Sequence, residues 1–320
     1  MAKILVTGGA GYVGSVCCLQ LLRAGHAVHV VDDLSGGHAD ALPAGAQLHQ
    51  MRIDDVRLAS LLRTEKFDSV FHFAGKIQVG ESMTNPGLYF RENVAAGITL
   101  LETLREHNVK NFVFSSTAAV YGVPATSSIR EDTPKVPINA YGATKLMFER
   151  VLEWYANVYG WSVVAFRYFN AAGAAEGVGE RHEPESHIIP LLLHTALGKR
   201  ESFSMFGDDY PTPDGTCLRD YVHVLDIADA HILAAKHFGT AGFRAYNIGA
   251  GRAHSVREVI AAAEAVTGKR LNVKVAPRRE GDPAVLCADP AKLKAELGWS
   301  PQHSELREIV GSAWEFARGR

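Results

Sequence analysis

The chain has 320 residues, 47% hydrophobic and 21% charged, with a formal net charge of -2 at pH 7. This excludes a disordered polar chain, leaves material for one large or two modest cores, and offers no general field for nucleic acid or an anionic membrane, so neither is expected as a partner. The four cysteines (Cys17, Cys18, Cys217, Cys287) lack metal or redox spacing, and no apolar run is long enough to span a bilayer. The first predicted strand begins at residue 4, which leaves no room for a signal peptide, and a cytoplasmic location is expected.

Residues 4–6 form an apolar strand that runs into Thr7-Gly8-Gly9-Ala10-Gly11-Tyr12-Val13-Gly14 and then a helical pattern. Glycines at 8, 11 and 14 let the backbone approach a pyrophosphate, while the N–H groups and dipole of the helix start supply positive potential. Residues 27–31 read as a second strand ending at Asp32, whose carboxylate suits the two ribose hydroxyls of an adenosine and repels a 2′-phosphate. With no Arg or Lys between Asp32 and Leu42, NAD is favoured over NADP. Further apolar runs at 47–51, 69–73, 112–115 and 163–168 alternate with helical stretches, the rhythm of an α/β doubly wound parallel sheet covered on both faces. After Tyr168 the texture changes to Gly, Pro and short segments, so a dinucleotide-binding domain over 1–172 and a smaller C-terminal substrate-binding domain over 173–320 are expected, with some segments returning to the first.

Tyr141 and Lys145 stand four residues apart in a helical pattern and so share a face. A free phenol titrates near ~10, so its use as a base near neutrality needs a shift of about 3 units, to which a nearby ammonium and the positive charge of an oxidised nicotinamide both contribute. Ser115, Ser116 and Thr117 cluster at the end of a strand, where Thr117 can bond a sugar hydroxyl and relay its proton toward Tyr141. His182 and His187 are five apart with Pro184 between them, which fails the spacing of two ligands on one helical face, so no metal is expected.

Together the glycine turn, Tyr141 with Lys145, and the Ser-Ser-Thr segment resemble the extended short-chain dehydrogenase/reductases. Within them, His72-Phe73-Ala74-Gly75, Val79-Gly80-Glu81-Ser82, Arg167-Tyr168-Phe169-Asn170, Phe206-Gly207-Asp208-Asp209-Tyr210-Pro211-Thr212, Arg219-Asp220-Tyr221-Val222-His223-Val224 and Pro277-Arg278-Arg279-Glu280-Gly281-Asp282 are similar to the UDP-glucose 4-epimerases over nearly the whole chain. The resemblance implies a Rossmann fold, tightly bound NAD, and inversion at C4 of a UDP-hexose through a transient 4-keto sugar. It implies that Tyr141 is the base, that Lys145 binds the nicotinamide ribose, and that Thr117 fills the usual Ser or Thr role and also meets the substrate. The cofactor contacts it implies are Gly8, Gly11, Tyr12, Val13 and Gly14, Asp32 and Asp33 at the ribose, Asp55 and Val56 at the adenine, and Phe73, Ala74, Gly75, Asn93, Ser115 and Tyr168. On the substrate side it implies Arg219 and Arg279 on the diphosphate, Asn170 and Phe206 as sugar-nucleotide contacts, Asp282 on the nucleotide ribose, and Leu286 in the sugar pocket.

This chain departs from the family pattern at three places. Asp33 replaces a common Asn, Ile77 occupies the position of a phosphate-binding lysine with Lys76 one residue before it, and Leu286 replaces a tyrosine that narrows the sugar pocket in some members. A smaller residue there implies partial tolerance of UDP-N-acetylglucosamine; other UDP-sugars, including pentoses and uronic acids, are the alternative substrates. Ala118 and Ala119 stand where a 4,6-dehydratase needs an Asp-Glu pair, which argues against dehydration, and a non-catalytic NAD sensor would not need Tyr141 and Lys145. The amphipathic segments 93–107 and 141–159 imply a homodimer paired through a four-helix bundle.

Overall fold

A computed structural model describes residues 1–279 and 281–320; Glu280, within the 277–282 motif, lies outside the described residues. By compactness the chain forms two units. The first comprises Met1–Gly122, Pro134–Tyr168 and Ala228–Tyr246, and the second Val123–Thr133, Phe169–Ile227 and Asn247–Arg320.

The first unit is built on a sheet of seven strands: β1 (Lys3–Thr7), β2 (Ala27–Asp32), β3 (Gln47–Gln50), β4 (Ser69–His72), β5 (Asn111–Thr117), β6 (Ser162–Tyr168) and β7 (Gly242–Ile248). Their spatial order is β7-β6-β5-β4-β1-β2-β3, and the pairs from β3 to β6 are parallel. The chain builds outward from β1 through β2 and β3 and then crosses to β4 on the other side of β1. The order therefore reverses between β1 and β4, the place where doubly wound sheets bind ligands beyond their carboxyl ends. The six strands expected from apolar runs all lie in this sheet. The seventh was not anticipated, because Arg244 and Asn247 interrupt its apolar pattern, as an edge strand permits.

The core packs Leu5, Phe112, Phe114, Phe148, Leu152 and Trp161 between sheet and helices. Cys17 and Cys18 are fully buried in the helix Tyr12–Arg23. In the second unit, strand Leu218–His223 pairs with Asn170–Ala172, Ala253–Ser255 and Val285–Ala288, while Phe203–Phe206 pairs with Val273–Ala276. Helices Ile188–Ala196, Val256–Thr267 and Leu306–Arg318 bury Leu193, Val259 and Ile309 together. Among the described residues no helix is long and apolar enough to cross a membrane.

Candidate active site

The loop after β1 is held by close backbone packing. Gly8 has a φ of +73°, and a Cβ on it would lie 2.4 Å from the backbone nitrogen of Ala74; one on Gly14 would lie 2.3 Å from the Gly8 carbonyl oxygen. Any side chain at either position would push the turn away from the helix or from the strand beside it. The helix Tyr12–Arg23 starts from Gly11 with no side-chain cap and no acidic residue in its first turn. Its N-terminal field, at Tyr12 and the half-buried Val13, is therefore not quenched by a carboxylate.

Asp32 supports this turn from behind. Its carboxylate accepts the Ala10 N–H at 2.9 Å and the Leu34 N–H at 2.8 Å, while burial pushes it above the usual carboxylate range. About two of its four lone-pair sites remain for ribose hydroxyls. A glycine turn, an uncapped helix start and an acid at the end of β2 fit a dinucleotide. Asp33 accepts from the Ser35 N–H at 2.9 Å, and Arg52, which the search between 32 and 42 did not include, lies 3.9 Å from it. Arg52 is also paired with Asp54 at 2.9 Å and Glu92 at 3.0 Å, so its charge is already met on this rim. Farther along, Asp55 is bound by Arg57, leaving the exposed Val56 side chain as an apolar surface beside it.

At the crevice between β1 and β4, the N–H groups of Phe73 and Ala74 both donate to the Thr7 carbonyl, at 2.8 and 3.0 Å. Thr7 and His72 are register partners and their side chains meet at 2.6 Å. Gly75 follows with a φ of +150°. Asn93 sits in a π-helical turn, Arg91–Ala95, an expanded geometry common at functional sites. Its amide clasps the Lys76 backbone, accepting from N at 2.7 Å and donating to O at 3.0 Å, and also donates to Thr144 at 3.1 Å. Asn93 thus fixes the loop after β4 against the helix Ala140–Tyr159, and Lys76 is held there by its backbone.

That helix is capped by Asn139, whose side chain accepts from the Gly142 N–H at 2.7 Å. The cap places Tyr141 in the first turn, where the helix dipole favours a phenolate. Desolvation pushes the Tyr141 phenol up to about 12, a rise that the nearby Thr117 hydroxyl at the end of β5 partly opposes. One turn on, the buried Lys145 ammonium donates to the Ser115 carbonyl at 2.9 Å and lies 6.0 Å from the centre of the Tyr141 ring. Burial lowers it to about 8, partly offset by the Glu149 carboxylate. Tyr168, paired in register with Thr117, meets His231 through its hydroxyl at 2.7 Å. Thr117, Tyr141, Lys145, Ser115 and Tyr168 are therefore brought together at the carboxyl end of β5 and β6.

A buried network that the sequence reading did not identify supports the centre. Arg167 donates to Glu149 at 3.0 and 2.7 Å and to Tyr121 at 2.8 Å, and Ser116 donates to Glu149 at 2.5 Å. The signal was a Glu one helical turn beyond Lys145, facing the sheet.

In the second unit, Asn170 donates to the Asp220 carbonyl at 2.8 Å. Arg219 is the register partner of Leu286 on the neighbouring strand, donates to the carbonyls of Leu218 at 2.9 Å and Pro283 at 2.8 Å, and faces Asp282 at 3.6 Å. The Arg279 guanidinium lies over the Phe206 ring at 4.0 Å, and Arg278 lies over Tyr210 at 4.3 Å. Asp220 is wholly buried and collects the N–H groups of Ala250, Gly251 and Ala288.

Comparison with known proteins gives the same reading. Residues 4–249 match the model of the NAD dependent epimerase/dehydratase family. The chain belongs to this family. Among family members, the UDP-glucose 4-epimerase of Corynebacterium glutamicum is 49% identical over 314 residues, covering 98% of this chain and 95% of that protein. The Brucella ovis UDP-glucose 4-epimerase, solved in complex with NAD, superposes with a TM-score of 0.95 at 41% identity, covering 99% of each chain. The Bifidobacterium longum enzyme, solved with NAD+ and UDP, gives 0.94 at 34% identity, covering 99% of this chain and 98% of its own.

Proposed function

We propose that this chain interconverts UDP-glucose and UDP-galactose by inversion at C4, with Tyr141 as the proton-transfer residue and NAD as a tightly held cofactor. The hydrogen on a hexose C4 is not acidic, so the carbon has to become a ketone before its configuration can change. Bound NAD supplies the acceptor and later donor of the C4 hydride, and its positive nicotinamide favours ionisation of a nearby phenol. Tyr141 takes the O4 proton as C4 is oxidised and gives it back when the 4-keto sugar is reduced on its other face, so net redox change is zero. Lys145 binds the nicotinamide ribose and adds positive charge beside the phenol, while Thr117 bridges the sugar hydroxyl and Tyr141. Gly8 to Gly14, Asp32, Asp33, Asp55, Val56, Phe73 to Gly75, Asn93, Ser115 and Tyr168 hold the dinucleotide.

In the second unit, Arg219 and Arg279 hold the diphosphate, with Asp282 at the nucleotide ribose and Asn170, Phe206 and Leu286 lining the substrate. Guanidinium forks suit phosphate oxygens, and a grip centred on the diphosphate leaves the ketone free to turn. The observation that carries the reading is the Tyr141 phenol with the buried Lys145 ammonium 6.0 Å from its ring and tied to the Ser115 carbonyl, at the sheet end that holds the dinucleotide cradle. The test is Tyr141→Phe. Turnover of UDP-galactose should fall by about 10²–10⁴-fold with unchanged thermal stability; full turnover in the folded variant would overturn the assignment.

The homodimer is part of the same proposal. Ile98 on helix Ala96–Glu106 and Met147, Trp154, Val158 and Tyr159 on helix Ala140–Tyr159 are large exposed hydrophobics, Trp154 being 68% exposed. Two such helices pairing with their symmetry mates would cover this surface. A reducing, cytoplasmic setting suits the unpaired Cys17, Cys18, Cys217 and Cys287.

A further inference from the structure

The segment between the short strand Val178–Gly179 and the helix Ile188–Ala196 gathers four ligand-type side chains that the epimerisation does not use. His182 and His187 cannot share a helical face, and they lie in a loop, as their spacing across Pro184 implies; the loop also brings in Glu180 and Glu185. The Glu180 Oε1 atom is 2.9 Å from His182 Nδ1 and 2.5 Å from His187 Nδ1, and His187 Nδ1 is 3.2 Å from Glu185 Oε1. One donor atom from each of the four residues lies within 4.8 Å of every other.

Both carboxylate side chains are nearly enclosed, Glu180 at 7% exposure and Glu185 at 8%, with His182 at 17% and His187 at 49%. Two enclosed carboxylates need a compensating charge. Both imidazoles turn Nδ1 inward, and in the neutral form that ligates a metal they would leave the set, with its two carboxylates, a net charge of -2 that a single divalent cation balances.

We propose that Glu180, His182, Glu185 and His187 form a structural site for a zinc-class divalent cation. Bonds of about 2.0–2.2 Å in a tetrahedron require donor atoms about 3.3–3.5 Å apart, so the set reaches it by small side-chain movements. The two imidazoles disfavour calcium and magnesium, which take oxygen ligands, and the absence of thiolates disfavours copper(I). Four protein ligands close the shell and leave no open position for substrate, so the role is to tie this loop to the start of the following helix. Glu185 has a second bond that fits such a role, accepting the N–H groups of Ser186 and His187 at 2.7 and 2.8 Å.

The test uses the full-length NAD-loaded protein, stripped with a chelator, dialysed against zinc chloride and desalted. One zinc per chain is expected, with an X-ray absorption first shell of four N/O atoms at about 2.0–2.1 Å, including imidazole scattering and no sulfur. In His182→Gln/His187→Gln, checked for fold by circular dichroism, zinc affinity should fall at least ~10-fold. Less than half an equivalent of zinc in the wild type, a sulfur-containing or six-coordinate shell, or unchanged affinity in the double variant would overturn the site. The first two outcomes are read on the wild type, so the test stands even where the double variant does not fold. Neither readout depends on epimerase turnover, so the proposal stands or falls apart from the catalytic one.

Discussion

Lys145 and Arg279 are both cations proposed to serve the reaction, and the two units hold them differently. Lys145 is buried in a helix, its ammonium tied to the Ser115 carbonyl, with Glu149 one turn on fixed to Arg167 in the sheet. Arg279 follows the strand Val273–Ala276 in a loop, and its guanidinium rests on the face of Phe206. A proton-transfer residue must be positioned to a fraction of an ångström, which needs partners locked on regular elements. A diphosphate is a diffuse charge that a stacked guanidinium can meet over a range of angles. The first unit should therefore fail through kcat and stability, and the second through substrate affinity.

The largest effect should come from removing the support under Lys145. The Glu149 and Arg167 side chains are each 3% exposed, so Glu149→Ala leaves a buried guanidinium without its carboxylate and should cost about 3–5 kcal/mol in urea unfolding. Glu149→Met with Arg167→Met should recover much of that loss. A double variant no better than the single one would mean that packing, not charge, holds the helix.

Lys145→Met comes next and should lower kcat by about 10²–10³-fold with little change in KM for UDP-galactose. The wild-type ammonium, lowered to about 8, is charged at neutral pH and lost as pH rises through 8. Its unfolded value is higher, so folding gains stability as pH rises from 8 toward the ordinary lysine range, while the cationic support for Tyr141 declines. Unfolding measured from pH 7 to 10 should show that rise in the wild type, and Lys145→Met should lack it.

These two predictions mark the boundary of what a linear reading can reach. The glycine turn, Asp32 and the Tyr141–Lys145 spacing are local, because one helical turn brings i and i+4 together whatever the rest of the chain does. The five inner strands, β1, β2, β4, β5 and β6, carry apolar runs and are equally legible, and the edge strand β3 follows from its place in the same rhythm. Arg167 with Glu149 and Arg52 with Glu92 are long-range pairs created by the sheet order, and no period announces them. The helix itself shows the limit of periodicity. Its apolar spacing runs through Leu146, Val151, Leu152, Tyr155 and Val158, yet the buried face includes Phe148, Glu149, Leu152, Tyr155 and Ala156, and Val158 is 62% exposed. Residues 182–187 read as a loop, because Pro184 breaks their helical spacing, and they form one; what no spacing announces is that the fold brings Glu180 and Glu185 to the two imidazoles.

In the second unit Asp220 is a buried exception, and it sharpens the contrast because its role is structural. Burial raises its carboxyl to about 6 although three backbone N–H groups donate to it. The folded value lies above the unfolded one, so this group's stabilising contribution is full below pH 4 and lost as pH rises through 6. A shift of about two units corresponds to roughly 3 kcal/mol. Wild-type stability relative to Asp220→Asn should therefore increase by an amount of that order from pH 7 to pH 4, measured by denaturant unfolding of both proteins. A pH-independent difference would place Asp220's ionisation elsewhere.

The smallest effects should separate the two arginines. Arg279→Leu removes a stacked guanidinium whose position depends on Phe206, and should raise the KM for UDP-galactose about 10-fold with kcat and stability nearly unchanged, as expected for one charge-assisted contact. Arg219 also satisfies two backbone carbonyls, at Leu218 and Pro283, so Arg219→Leu should raise KM similarly and also lower the unfolding midpoint. Lysine should restore part of the binding at 279, where charge is the main requirement, and little at 219, where one nitrogen already bridges two carbonyls and the rest of the fork is needed for phosphate. If lysine restores both positions equally, the two guanidiniums are interchangeable point charges, and the second unit grips its anion without the geometric division of labour that separates Arg219 from Arg279.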